Sequence, residues 1–411
     1  MKNFDIIVFG ATGFTGQEIA KYLYNTVSAQ DSSLRLAIAG RNKEKLIKIK
    51  EMIIDECDDK DVSIILADTK NKSSLSEMAK QSRLLINCVG PFRFHGIDVV
   101  EACSINGCHY LDISGEPQFI ELCHLKYHDE AKKNKTLIIP ASGYDSIPAD
   151  VGVQFIIQEA KKQNKELISI ESFMRFIGEE EGFKAHFTTY ESAVHGFANW
   201  NKLSELRGDL KKKRWPTKVK WTDPSFSIKK YPFYELREKS WCFLFPAADS
   251  AVVRSTQKSL STINKDLTQP KYAAYYSFIK PISVFIGLFT GFMFLALTKS
   301  SLGRSILLKY PRFFSAGVIT KSGPTKKQLS KTSFRINFFG RFNGGAIQTR
   351  ISGPEPGYVA TPIMIVQAAF YLLNHEKNIE NFGVFTPGVI LKDEKYISQL
   401  RKCGITFEVI N

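Results

Sequence analysis

The chain has 411 residues, 44% of them hydrophobic and 24% charged; this is too long for one ordinary core and too apolar for extended disorder, so two domains are expected. Its net charge of +15 is unevenly held: residues 1–150 carry 18 Lys+Arg and 21 Asp+Glu, net −3, which leaves 38 basic and 20 acidic residues, net +18, in 151–411. That excess suits an acidic partner, whether anionic lipid, nucleic acid or substrate, or else simple solvation. Seven cysteines without a C-x-x-C pair read as reduced thiols facing the cytosol. The start, Met1 to Phe9, has no apolar run of signal-peptide length, so neither secretion nor mitochondrial import by an N-terminal signal is expected.

Along the first 150 residues, apolar runs at Asp5–Phe9, Arg35–Ala39, Val62–Ala67, Leu84–Val89, His109–Ile113 and Thr136–Pro140 read as strands. Helix-like periodicity fills the gaps, near 14–25, 43–54, 73–81, 96–106 and 118–134. This alternation predicts an α/β fold, a doubly wound parallel sheet of Rossmann type, with ligands beyond the carboxyl ends of the strands. The first strand runs into Gly10-Ala11-Thr12-Gly13-Phe14-Thr15-Gly16 and then a helical pattern. Glycines there let the backbone approach a diphosphate, and the helix N-terminus supplies N–H groups and partial positive charge. A tight structural turn is the bland alternative.

The second strand ends Ala39-Gly40-Arg41. A domain selective for NAD usually has a carboxylate at that place to hold the ribose 2′-OH, whereas a guanidinium suits a 2′-phosphate. NADP(H) is therefore the expected cofactor, with a solvated loop cation as the alternative for Arg41. Further strand ends furnish the rest of the crevice. Asp68 can face the adenine, and Gly90 with Pro91 lets the nicotinamide half pass. Asp112, Ser114 and Glu116 follow the fifth strand, and Tyr144, Asp145 and Ser146 follow the sixth. Tyr144 and Asp145 are the preferred proton donors, with Ser114 and Glu116 in reserve. Asp112 could equally be a turn former and Ser146 a helix cap. His124 and His128 lie four apart beside Cys123, but position 125 is Leu, so an exposed polar face is the better reading and no metal is expected.

The second half is less regular, with strands expected at Ile168–Ile177, Phe334–Phe339 and Ile347–Ile351. Residues 201–240 hold 12 basic and 5 acidic side chains, including Lys211 to Arg214 beside Trp215 and Trp221, which reads as a basic surface loop. No nucleic-acid module is recognisable, so no nucleic-acid partner is expected. Pro281–Thr298 is uncharged and contains four phenylalanines. Tyr272, Tyr275, Tyr276 and Phe278 precede it and suit a membrane interface; Arg304, Lys309 and Arg312 follow in a basic amphipathic stretch. As a helix it would be roughly 27 Å long, marginal against a bilayer core of about 30 Å. Insertion into one leaflet or a droplet monolayer is favoured over a core or homodimer helix, and over a span.

Several segments together resemble the saccharopine dehydrogenase-like oxidoreductases: GATGFTG (10–16), LAIAGRNKEKL (36–46), NCVGPFRFHG (87–96), YLDISGEPQF (110–119), SGYDSIPADVG (142–152), SGPTKKQ (322–328), SGPEPGYVATP (352–362) and GVFTPG (383–388). The resemblance implies an NADP-type Rossmann domain and a second, α+β substrate domain inserted before the C-terminal elements. We therefore expect an NADP-binding domain over 1–150, a substrate domain over 151–380, and a return to the Rossmann domain over 381–411. The first turn departs from the G-x-G-x-x of saccharopine reductases, and the same segments also look like the bacterial trans-acting enoyl reductases, which act on lipid precursors. The expected function is an NADP(H)-dependent oxidoreductase for a hydrophobic, lipid-like small molecule, on the cytoplasmic face of a membrane or lipid droplet. A membrane-peripheral NADPH-binding protein without turnover and a saccharopine-type amino-acid dehydrogenase are the alternatives.

Overall fold

A computed structural model describes residues 2–29, 33–57, 62–178, 184–198, 200–245, 248–279, 281–315, 317–320 and 322–410. In it the apolar runs of the first half form β1 (Phe4–Phe9), β2 (Leu36–Gly40), β3 (Ser63–Leu66), β4 (Ser82–Asn87), β5 (His109–Asp112) and β6 (Leu137–Ile139). They pair in parallel in the order β6-β5-β4-β1-β2-β3, with Ile6 opposite both Leu36 and Leu84. Helices Phe14–Ala29, Lys43–Cys57, Lys72–Gln81, Ile97–Ile105 and Pro117–Lys133 make the crossovers. Cover on both faces is why β1 and β2 read as unbroken apolar runs: Ile6, Ile7, Val8, Ala37 and Ile38 are all fully buried. Strand order reverses at β1, between β4 and β2, and opens a crevice beyond the strand ends.

The second half builds a mixed sheet from β7 (Ser169–Gly178), β8 (Phe233–Glu235), β9 (Ser240–Leu244), β10 (Lys271–Phe278), β11 (Thr332–Phe342), β12 (Gly345–Pro354) and a last strand, Thr406–Ile410. The order is β8-β9-β10-β7-β11-β12 and then the last strand, parallel only between β10 and β7. The helix Ile147–Lys162 leaves the first sheet and packs on the second. A Cβ at its Gly152 would stand 2.6 Å from both Phe338 and Ile351. One continuous core accordingly runs from Ile6 and Leu23 through Val153 and Phe155 to Phe338 and Phe407.

The stretch 381–411 does not return as one block. Gly383–Val384 (β13) extends the parallel sheet beside β6, whereas Thr406–Ile410 (β14) adds to the mixed one. Helix Thr361–His375, assigned from sequence to the substrate domain, packs against the Rossmann helix Phe14–Ala29. It lies within Pro356–Asn378, which is apolar and long enough to cross a membrane but is 89% buried over its most apolar window.

Pro281–Thr298 is a single helix at the surface. Phe289 and Phe292 are 68% and 70% exposed, and Ile286, Leu288 and Leu295 are exposed with them, so this is no core helix. Its inner side meets helix Phe187–Ala198 through Phe294 and Leu297. A span is also incompatible, because β10 before it and β11 after it both pair with β7. Of the aromatic approach expected at an interface, Tyr272 and Tyr275 are instead core, whereas Tyr276 and Phe278 are half-buried. On strand β10, paired on both sides, Tyr275 is fully buried and Tyr272 shares a 2.8 Å hydrogen bond with Ser172.

Two further expectations change. The basic run is no loop: Lys211 to Lys213 close helix Trp200–Lys213, and Trp215 is buried with its indole N–H donating to Ser259 Oγ at 3.2 Å. His124 is fully buried beneath Trp215 (ring centroids 5.1 Å apart), not on an exposed face, and burial holds its imidazole well below the usual range. Among the described residues no cluster of His, Cys, Asp or Glu is arranged to hold a metal.

Candidate active site

Beyond the carboxyl ends of β1 to β6 lies a cleft of about 500 Å³. One end is walled by Gly10, Thr12, Gly13, Phe14 and Thr15. Gly10 sits at φ +85°, a conformation that suits glycine. Gly16 does not line the cleft; a Cβ there would stand 2.2 Å from the Gly10 carbonyl oxygen, so glycine lets the helix start directly under the turn. Helix Phe14–Ala29 starts at this wall: Phe14 and Thr15 of its first turn line the cleft, while the Gln17 N–H donates to the Gly13 carbonyl at 2.9 Å. This glycine cradle over a helix N-terminus fits the diphosphate of a dinucleotide.

Arg41 lines the cleft just beyond β2, exposed, with no hydrogen bond or ion pair among the described residues. Gly40 ends β2, so no carboxylate repels a 2′-phosphate there. Asp68 also lines the cleft, with one carboxylate oxygen accepting from the Lys70 N–H at 3.0 Å. Gly90 lines the cleft on the far side of the glycine loop from Arg41, because β4 and β2 flank β1. Pro91 is buried behind it, at the start of the short helix Phe92–His95, and is not a lining residue.

On that side the acidic candidates separate. Asp145 is exposed to the cleft, and the surrounding protein that partly displaces water from it there raises its carboxyl above the ordinary value. Gly115 makes room for it, since a Cβ there would stand 2.8 Å from Asp145 Oδ2. Tyr144, its neighbour, turns into the core. Its ring lies 4.8 Å from Phe334 and 5.9 Å from Phe176, and it does not line the cleft. Asp112 is fully buried and accepts from the Ser114 N–H, the Ser114 hydroxyl, the Ala141 N–H and the Tyr110 hydroxyl. It ties the end of β5 to the end of β6, and burial outweighs those bonds to push its carboxyl up to about 6. Glu116 lines the cleft but is engaged by Arg93: Arg93 Nε donates to it at 2.8 Å, and both side chains are buried. Its other oxygen accepts from the Phe92 N–H at 2.8 Å. Ser146 is buried at the start of helix Ile147–Lys162 without a cap hydrogen bond.

The far wall was not legible as a site. Helix Phe187–Ala198 contributes Thr188, Thr189, Ser192, Ala193, Gly196 and Phe197, with Leu203 beyond. His186 and Tyr358 clasp Phe14: the His186 ring stacks on it at 5.2 Å, and Tyr358 meets it edge-on at 4.8 Å. The Tyr358 hydroxyl accepts from the His186 N–H at 2.8 Å, which joins the inserted segment to the glycine loop.

Residues 6–139 match the family model of the saccharopine dehydrogenase NADP-binding domain. A mouse protein named saccharopine dehydrogenase-like oxidoreductase is 40% identical over 430 residues, covering 99% of this chain and 97% of its own length. The chain belongs to this family. It is thus an oxidoreductase-family protein with an NADP(H)-binding domain. A Caenorhabditis elegans relative, 32% identical over 100% of this chain and 99% of its own, is named a lipid droplet localized protein. An Arabidopsis thaliana relative, 34% identical over 99% and 96%, bears a name that refers to mitochondria. Among solved structures, the glutamate-forming saccharopine dehydrogenase of Saccharomyces cerevisiae has the same fold, with a TM-score of 0.58, 13% identity, and 99% and 100% of the two chains covered.

Proposed function

We propose that the protein is an NADP(H)-dependent oxidoreductase acting on a neutral, lipid-like molecule at the cytoplasmic face of a membrane or lipid droplet. One observation carries this reading: the cleft lined by the glycine loop and Arg41 is also lined by Ala193 and Phe197, on a helix that packs against a surface helix with exposed apolar side chains. The droplet name of the worm relative agrees with it. The cofactor supplies or accepts hydride when bound. The chain's own residues hold the diphosphate at Gly10–Gly13, hold the 2′-phosphate at Arg41, and exclude water with the Phe187–Ala198 wall. Asp145 holds the proton for the reacting end, because it reaches the cleft with a carboxyl that keeps its proton more readily than usual. Tyr144, which turns away, has no part in proton transfer.

A saccharopine-type substrate fits less well. Among the described residues, the only Arg or Lys lining the cleft besides Arg41 is Arg93, and Glu116 already neutralises it. Multiple carboxylates brought to that end would lack a partner. Single-turnover mixing of NADPH-loaded protein with vesicles of total lipid extract tests the reading. Oxidation of the bound nucleotide is expected with lipid extract, whereas saccharopine, an amine that can only donate hydride, should not reduce NADP+ in protein loaded with the oxidised nucleotide. In Asp145→Asn the oxidation by lipid extract should slow by roughly 10²-fold or more while NADPH affinity is unchanged. Equal rates in the two proteins would remove Asp145 from the chemistry.

A further inference from the structure

The helix Phe187–Ala198 has two working faces. Thr188, Ser192 and Gly196 line the cleft, while Tyr190 and Val194 pack against the apolar surface helix and its successor, Ser301–Lys309. The two faces meet at Phe197, which lines the cleft and whose ring lies 5.7 Å edge-on from Phe294 of the surface helix. Phe294 also touches Tyr190 at 5.7 Å. Outside this junction Phe94, 59% exposed, stands edge-on to His195 at 5.2 Å. Phe294, half-buried on the inner side of the helix that exposes Ile286, Phe289 and Phe292, therefore joins that helix to Phe197 at the cleft.

The charge around this path selects its surroundings. No Asp or Glu occurs between Asp266 and Glu355, a stretch holding thirteen Lys and Arg. Lys299, Lys309 and Arg312 are exposed next to the apolar helix, and Phe313 beside them is 79% exposed. Aromatic and aliphatic groups flanked by Lys299, Lys309 and Arg312, with Glu191 on the adjoining wall helix as the nearby anion, complement the anionic phospholipid face of a bilayer or droplet.

We propose that Phe187–Ala198 is the wall of a lateral passage, through which the hydrocarbon chain of the substrate slides from that phospholipid surface past Phe294 and Phe197 to the nicotinamide end of the cleft. The passage rests on the lipid-surface function argued above and adds the route. It explains why the substrate wall and the surface helix are built as one packed unit, and why Ala193 and Phe197, on the wall between them, are apolar. Gly196 faces open space: a Cβ there meets only Arg93 Nη2, at 3.8 Å, so a large side chain would project into the cleft that Gly196 lines.

The test uses the full chain loaded with NADPH, phosphatidylcholine vesicles containing phosphatidylserine, and methyl 12-doxylstearate as the probe. The nitroxide of the probe should quench most of the fluorescence of the bound NADPH. Gly196→Phe and, as a second plug, Ser192→Phe should float with the vesicles yet lose the quenching, read as the fraction of bound-NADPH fluorescence at saturating nucleotide, whereas Ser192→Ala should quench as the wild type does. NADPH binding by each plug reports that it has folded. Wild type that floats without quenching, or plugs that quench fully, would overturn the passage and leave the surface reading standing. Wild type that does not float overturns both.

Discussion

The guanidinium of Arg41 stands exposed at the rim of the cleft, past a strand end occupied by Gly40. A charge-assisted hydrogen bond to a 2′-phosphate contributes about 1.5–3 kcal/mol. Arg41→Asp is therefore expected to weaken NADPH binding roughly 10–100-fold while sparing NADH, as measured by fluorescence titration; equal NADPH affinity would make Arg41 a loop cation. Behind Asp145 sits Asp249, buried at the start of helix Asp249–Ile263. Burial first, then the charge of Asp145, pushes its carboxyl up to about 7. A carboxyl raised in the folded state binds its proton more tightly there than in the unfolded chain, so stability falls as pH rises from about 4 to about 7. Asp249→Asn removes that cost. Its stabilising effect should be larger at pH 8 than at pH 5, by on the order of 2 kcal/mol, and thermal melts at the two pH values check the sign. A variant stabilised more at pH 5 would contradict the account.

Elements were legible in proportion to how local their determinants are. The six strands and five crossovers of the first half show in the sequence because a two-sided parallel sheet needs uninterrupted apolar runs, and because Gly10 to Gly16 signal where the first one stops. The cofactor end of the cleft is read from the same residues. The substrate wall is not, since Phe187–Ala198 is defined by what packs on either side of it, and no spacing in it marks a ligand. Likewise Tyr272 and Tyr275 of β10 resemble an interfacial belt in sequence and become core only once β7 and β9 pair beside them. The surface helix was marked by its lack of charge, but only the packing shows which side chains remain outside. Phe289→Asp with Leu295→Asp removes two of the exposed apolar contacts, each on the order of 1.5–3 kcal/mol when buried in lipid. The double variant should stay at the bottom of a flotation gradient with anionic vesicles. Because both side chains are exposed, it should keep its fold and NADPH affinity; high salt should weaken the wild type's attachment only in part.

For the whole molecule, the two sheets share one core, the inserted segment closes over the glycine loop through Phe14, His186 and Tyr358, and the apolar helix sits directly behind the substrate wall. In the proposed lipid-surface function these parts act together: the first half holds the cofactor, and the second delivers the substrate. The measurement that tests this most directly compares single-turnover oxidation of bound NADPH by vesicle-presented lipid extract in wild type and in the Phe289→Asp, Leu295→Asp variant. The account predicts oxidation by the wild type, and loss of it in a variant that still binds NADPH with unchanged affinity. Equal oxidation by both proteins, or none by either, would contradict it.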